Sequence, residues 1–342
     1  MQKIFFLLLI LITAASIQAQ KSKLHFVTKE VSRIAVNTNY TYHFDAKDSA
    51  GNAIIYRINN LPGWSTYNEV TKTISGKALA AGQYLITIDA HTKTDTAHQP
   101  FMLTVYDKTT TNILCLGNSI TNGVDTFNSF RRDLWQLLHA DNYNFDFIGS
   151  WSKHHMGSNV PVPDFDMDHE GHSGWNFRDI LQPPSWDKQR GNLYSWIKTY
   201  TPDIVLMELG TNDVFQCRKT KDMLNNLTTI VALLRGKNPN VKIFIAQIPP
   251  LGKQWADKKL CGVSTTYADA VNDLNKQIPL FAKQHSTIQS PIIVVDQYTG
   301  FDATTNTFDA YILTQKVKKL WRKNGLMRSK ITCINYRTIA AK

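Results

Sequence analysis

Two rhythms of apolar and polar residues divide this chain. Between Leu24 and about Asp107 the segments "YTYHFDA", "AIIYRI", "QYLITIDAH" and "PFMLTVYD" alternate apolar with polar positions. They are rich in β-branched and aromatic types, which suit a pleated, half-buried surface. Turn clusters such as "KDSAGN" and "LPGW" separate them. Short strands at this spacing predict a small all-β sandwich over residues 24–107. After "DKTTT" the period changes. Near-continuous apolar runs ("NILCLG", "FDFIGS", "DIVLMELG", "KIFIAQI", "IIVVDQ") now alternate with "FRRDLWQLLHA", "MLNNLTTIVALLRG" and "YADAVNDLNKQIPLFAKQ". In those longer stretches apolar residues recur three and four apart, as one face of a helix requires. Runs buried on both faces and linked by helices predict an α/β fold with a parallel sheet and right-handed crossovers. Working residues are then expected on the loops just past the carboxyl ends of the strands.

Length and composition fit this two-part reading. The chain has 342 residues, 43% hydrophobic and 19% charged, a globular balance with room for two domains. Its start, "MQKIFFLLLILITAASIQAQ", carries Lys3, an apolar core and small residues from Ala14 to Ala19. That pattern predicts a signal peptide over residues 1–19, hence a secreted or periplasmic protein with no membrane span once mature. Four cysteines are too few for a disulfide scaffold, and no Cys or His pattern has zinc-site spacing. Neither a metal nor a cofactor is expected. Cys115 sits in an apolar run and reads as a core thiol. Cys217 and Cys261 lie in polar stretches and could pair in an oxidising compartment.

Charge changes the picture only at the end. The formal net charge is +11, yet nine Lys and Arg lie between Lys316 and Lys342 with no acid after Asp309. A single basic run without aromatic platforms or a nucleic-acid motif does not indicate a nucleic-acid partner.

Three polar stretches follow the apolar runs. "GNSIT" places Ser119 where the chain leaves a strand and enters a helix, with Gly117 permitting a tight turn. By itself such a serine is an N-cap as readily as a nucleophile. "DHEGHSGWNF" sets Gly171 and Gly174 among His169, His172 and Trp175; a glycine lets a backbone N–H approach a ligand closely. "ELGTNDV" offers the neutral amide of Asn212 on a loop. Glu170 and Asp213 read as loop-shaping residues.

Together these stretches resemble the blocks of the SGNH hydrolases, the GDSL-type esterases, over Thr111 to Asp309. The resemblance implies a flavodoxin-like three-layer domain over residues 111–309. It assigns Ser119 as nucleophile and the Ser119 N–H, Gly174 and Asn212 as the oxyanion hole. It also implies a final D-x-x-H block whose aspartate matches Asp309 and orients a histidine base. "DHEGHSGW", "LGTND", "AQIPPL" and "VVDQYTGFD" look most like secreted carbohydrate esterases that remove acetyl groups from polysaccharides such as xylan. Acetylated poly- or oligosaccharide is therefore the expected partner. The N-terminal segment around "LPGWSTYNEVTKTISGKALAAGQYLITIDA" resembles the immunoglobulin-like modules of bacterial secreted proteins, a spacer or sugar-surface binder.

The chain departs from the family twice. Asn118 stands where aspartate is common before the serine, and Ile312 stands where the histidine should be. Reading the gene one base out of step from Ala310, with permitted third bases, gives "LHPNAKGEKIMAEKWFNA". With Asp309 and a restored glycine this becomes D-G-L-H-P, followed by a charge-balanced amphipathic helix. Residues 310–342 therefore read as an aberrant basic tail from a shifted frame, which would impair the esterase. The rival reading is a non-catalytic carbohydrate-binding or spacer protein with a degenerate hydrolase domain.

Overall fold

The structure is a computed structural model that describes residues 24–301 apart from residues 127 and 263. The predicted signal peptide, Asp309 and the basic tail lie outside the described residues.

The N-terminal region is all strand: β1 (Leu24–Phe26), β2 (Arg33–Ala35), β3 (Asn39–His43), β4 (Ala46–Asp48), β5 (Ile55–Asn59), β6 (Ser65–Asn68), β7 (Thr73–Lys77), β8 (Gly82–His91) and β9 (Thr96–Tyr106). They form sheets of order β2-β9-β8-β5 and β3-β7-β6, with β1 and β4 as a separate pair. The period-two pattern sets which side chains meet. Tyr40 and Tyr42 of β3 point inward, opposite Gly76 and Ile74 of β7. Against them pack Ile86 and Ile88 of β8 and Phe101 and Leu103 of β9, closing one apolar core between the two larger sheets. The predicted sandwich is what forms.

The second region holds the parallel sheet. Its strands are β10 (Thr111–Gly117), β11 (Phe145–Ile148), β12 (Glu170–Gly171), β13 (Ile204–Glu208), β14 (Lys242–Ala246) and β15 (Ile292–Val295). The order is β11-β10-β13-β14-β15, every pairing parallel, with β12 continuing the β11 side of β10. The chain thus starts at β10, steps one way to β11, then returns past β10 to β13. That is the flavodoxin-like order, whose reversal leaves a crevice beside the first strand.

The helices are α1 (Ser119–Asn122), α2 (Phe130–Ala140), α3 (Phe177–Leu181), α4 (Leu193–Trp196), α5 (Thr211–Phe215), α6 (Thr220–Lys237), α7 (Lys253–Ala256) and α8 (Tyr267–His285). Side chains of α3, α4, α6 and α8 cover one face of the sheet, against Leu114, Leu116, Val205, Met207, Ile243 and Ile245. Helix α2 covers the other, through Phe130, Leu134, Trp135 and Leu138 on Ile113, Cys115, Phe145 and Phe147. Met102 and Leu85 of the N-terminal sandwich join this second cluster, so the two regions share part of a core. No helix among the described residues is long and apolar enough to cross a membrane.

Candidate active site at the carboxyl edge of the sheet

Gly117, the last residue of β10, lies opposite Gly171 of β12 on one side and Glu208 of β13 on the other. The three polar stretches therefore leave the sheet as neighbours, at one edge. Gly117 was expected to serve a tight turn, but its φ is not positive. Its role is space: a Cβ there would collide with Thr121 Oγ1 and the Glu208 carbonyl. Gly171 is constrained alike, because a Cβ would strike the backbone of Thr121 and Asn122. Two missing side chains thus let the α1 turn sit directly on the strand ends.

Asn118 caps that turn, its side-chain oxygen accepting the Ile120 N–H at 2.8 Å. The departure from aspartate leaves this capping hydrogen bond in place. Ser119 follows as the first residue of α1, half-buried.

The second and third stretches are laced together. Asn212 Nδ2 donates to the Trp175 carbonyl at 2.7 Å, leaving its second N–H for another acceptor. Gln216 Nε2 donates to Gly174 O at 3.3 Å, and Asn176 Nδ2 to Gln216 Oε1 at 2.7 Å. The Phe177 N–H donates to the buried Asp213 carboxylate. Gly174 itself is exposed at φ +83°, a left-handed conformation that favours glycine. The first stretch joins through the His172 N–H, which donates to Gly117 O at 2.9 Å, and through Asn122 Nδ2, 3.0 Å from Ser173 Oγ. Ser119, Gly174 and Asn212 are thus carried on three mutually bonded loops.

Two supports hold these loops: Arg131, which sequence reasoning missed, and Glu170, which it read as loop-shaping. Arg131 is fully buried and donates to Thr121 O, Asn122 O and Met167 O. It ties the carbonyls of α1 to the segment leading into β12. Its signal was present, since Arg131 falls on the apolar face of α2 with Leu134, Trp135 and Leu138. The second support is Glu170, whose carboxylate accepts from the Ser150 N–H and hydroxyl, Tyr200 OH and His172 Nε2. The His172 ring stacks on Trp175 at 4.3 Å and on Trp196 at 4.9 Å.

Neither histidine of this block is placed as a free base. His169 accepts the Gly171 N–H at Nδ1 and meets Lys153 O through Nε2, and burial holds its pKa well below the usual range. His172 spends Nε2 on Glu170. Two carboxyls nearby are pushed the other way. Burial raises Glu208 to about 8, against a smaller pull from Asn118, and raises Asp213 to about 7. Among the described residues no three His, Cys, Asp or Glu side chains converge as metal ligands would. Cys217, just beyond α5, and Cys261, ahead of α8, form a disulfide with Cα atoms 6.2 Å apart.

Fold and site together define a doubly wound α/β domain with its polar loops gathered at the topological switch point, behind a β-sandwich. Residues 115–287 match the GDSL-like Lipase/Acylhydrolase family, and the chain belongs to it. Residues 26–106 match the family described as "Putative Ig domain". A multidomain esterase of Ruminococcus flavefaciens is 29% identical over 198 residues, 53% of this chain and 25% of its own length. An arylesterase of Vibrio mimicus is 36% identical over 59 residues, 17% of this chain and 30% of its own. The chain thus matches less than a third of the length of either relative.

Among solved structures, a mutant acetyl esterase with an acetate ion superposes with a TM-score of 0.53 at 26% identity, covering 67% of this chain and 99% of that one. A family 3 carbohydrate esterase from Talaromyces cellulolyticus gives 0.52 at 27% identity, covering 66% and 97%.

Proposed function

We propose that this chain is an exported serine esterase of the SGNH type whose substrates are acetyl esters of carbohydrate. Residues 24–107 form its accessory module and residues 111–309 its hydrolase domain. Ser119 Oγ is the nucleophile. The N–H groups of Ser119 and Gly174 and the Asn212 amide donate to the oxyanion of the tetrahedral intermediate, each worth on the order of 10²–10³ in rate. Asp309 orients the base of the final block. In the intact reaction that base takes the serine proton during attack and returns it to the departing sugar hydroxyl. Water then releases acetate from Ser119 by the same steps in reverse.

The observation that carries this reading is the register placing Gly117 between Gly171 and Glu208, which sends all three loops from one edge. The acetyl esterase and carbohydrate esterase likenesses favour acetylated carbohydrate as the substrate class. Ile312 in the histidine position favours a second reading, a non-catalytic carbohydrate-binding or spacer protein. The two separate on a chromogenic acetate. The chain as it stands should hydrolyse it at least ~10³-fold more slowly than one with a single base restored after Asp309. Ser119→Ala in the restored chain should abolish the gain. Equal rates before and after restoration would overturn the frameshift account.

A further inference from the structure

A cleft of about 1050 Å³ lies between the sandwich and the α/β region. Small-ligand pockets span about 300–1,000 Å³, so this one has room for an oligomeric guest. One wall comes from Leu24–Glu30 and Thr96–Gln99, the other from the loop after β11 and from the segment around α4.

Its lining has a definite chemistry. Trp151 is half-buried, and the Arg190 guanidinium lies over its ring, 3.2 Å from the centroid. One face of the indole is thereby fixed. The lining also carries exposed Lys153 and Asn159, 3.4 Å apart, Gln189, whose amide donates to Asp187, and His98, paired with Asp89. Glu30 is the one carboxylate among the described lining residues, and its Oε1 already accepts the Ser152 hydroxyl at 3.0 Å. A pyranose ring presents an apolar C–H face and an edge of hydroxyls. A held aromatic plane rimmed by hydrogen-bonding side chains matches both.

The cleft shares wall residues with the support of the site already described. Ser150 lines it and donates its N–H to Glu170, while Trp196 lines it and stacks on His172, two residues before Gly174. One rigid wall therefore serves both.

We propose that this interdomain cleft is a second carbohydrate subsite, holding a stretch of the polysaccharide whose esters lie at the neighbouring sheet edge. The polymer's identity as substrate rests on the esterase reading; binding to the cleft does not. Anchoring one stretch raises the local concentration of esters on the same chain. Loss of the cleft then weakens action on polymer and leaves a small acetate untouched.

The test is calorimetric titration of the full chain with xylohexaose and cellohexaose, neither of which carries an ester. Wild type and Ser119→Ala should bind at least one hexaose equally, and Trp151→Ala should weaken it by about tenfold or more, as loss of an aromatic anchor does. Lys153→Ala/Asn159→Ala, which removes two exposed side chains and should leave the fold intact, should weaken it too. If Trp151→Ala fails to fold, the double variant decides. Absence of binding by wild type, or binding unchanged in the double variant, overturns the subsite. Because no ester is present, a restored chain that hydrolyses a chromogenic acetate while its cleft ignores both hexaoses removes the subsite alone. Failure of that hydrolysis with cleft-dependent binding retained removes the esterase reading alone.

Discussion

Glu208 ends β13 at 2% exposure, directly opposite Gly117. Its polar neighbour is the Asn118 side chain, whose downward pull is outweighed by burial, which lifts the carboxyl pKa from 4.5 to about 8. Below pH 4.5 it is protonated in both folded and unfolded chains. From there upward the unfolded chain ionises while the folded one keeps its proton, so stability falls until the folded carboxyl also ionises near 8. The slope has a ceiling of about 1.4 kcal/mol per pH unit. Glu208→Gln keeps the neutral shape and removes the titration. Its melting temperature should therefore fall less steeply than that of wild type between about pH 5 and 8, with similar values at the acid end. Parallel curves would show that Glu208 ionises in the fold without penalty. At this scale the sequence was informative where a polar stretch follows an apolar run, and the stretches carrying Ser119, Gly174 and Asn212 do leave one edge of the sheet. It misled at Gly117, whose constraint is contact with Thr121 and Glu208, a neighbour ninety-one positions on. Such partners are set by register and carry no local signature.

The elements themselves were legible because each depends on its own periodicity. The predicted helices appear as α2, α6 and α8, the last continuing through Pro279. What periodicity does not give is how short elements are held, and α1, with four residues, is the sharpest case. So brief a turn has no stability of its own. Arg131 supplies it from α2, donating to Thr121 O and Asn122 O and, across the loop, to Met167 O at 2.7 Å. Burial draws this guanidinium down to about 10, still far above neutral pH, so it remains charged. Arg131→Met fits the apolar face of α2 yet leaves three carbonyls without their donor. A loss of about 3 kcal/mol or more is expected in urea denaturation. Amides of Thr121 and Asn122 should also exchange faster than those of the sheet core. The disulfide acts elsewhere, tying the turn after α5 to the loop ahead of α8. Cys217 and Cys261 are 44 residues apart, and Cys217→Ser with Cys261→Ser should cost about 2–4 kcal/mol, read as a lower urea midpoint. An unchanged midpoint would mean that the loop is held by its packing alone, through Phe215, Trp255 and Tyr267.

At the scale of the whole molecule the question is what makes a sandwich and an α/β region behave as one body. Sequence gave both parts but no sign of their docking, which uses residues that look like ordinary surface charges. Arg33, on β2 of the sandwich, pairs with Asp146 on β11 and donates to Asn112 Oδ1 at 2.7 Å, its guanidinium lying 3.8 Å over the Tyr106 ring. Lys29 reaches Ser150 O, Ser32 reaches Asp168, and Gln83 reaches Phe145 O. Asp146 sits deep beside Asp166, and burial, opposed by Arg33, raises its carboxyl; Asp166 is raised further by burial and by Asp146 itself. Removing the arginine leaves a buried acid facing another acid. Breaking a fully buried pair costs about 3–5 kcal/mol. The Arg33 side chain is 30% exposed against 3% for Asp146, so a screened loss of about 1–3 kcal/mol is the better expectation for Arg33→Met. Asp146→Asn in that background should recover part of it by removing the unpaired charge. Because the pair bridges the two regions, calorimetry should show one transition for wild type and two for Arg33→Met, with the earlier one belonging to the sandwich. A single transition merely shifted downward in Arg33→Met would mean that Met102 and Leu85, sharing the α2 core, couple the regions without help from the ion pair.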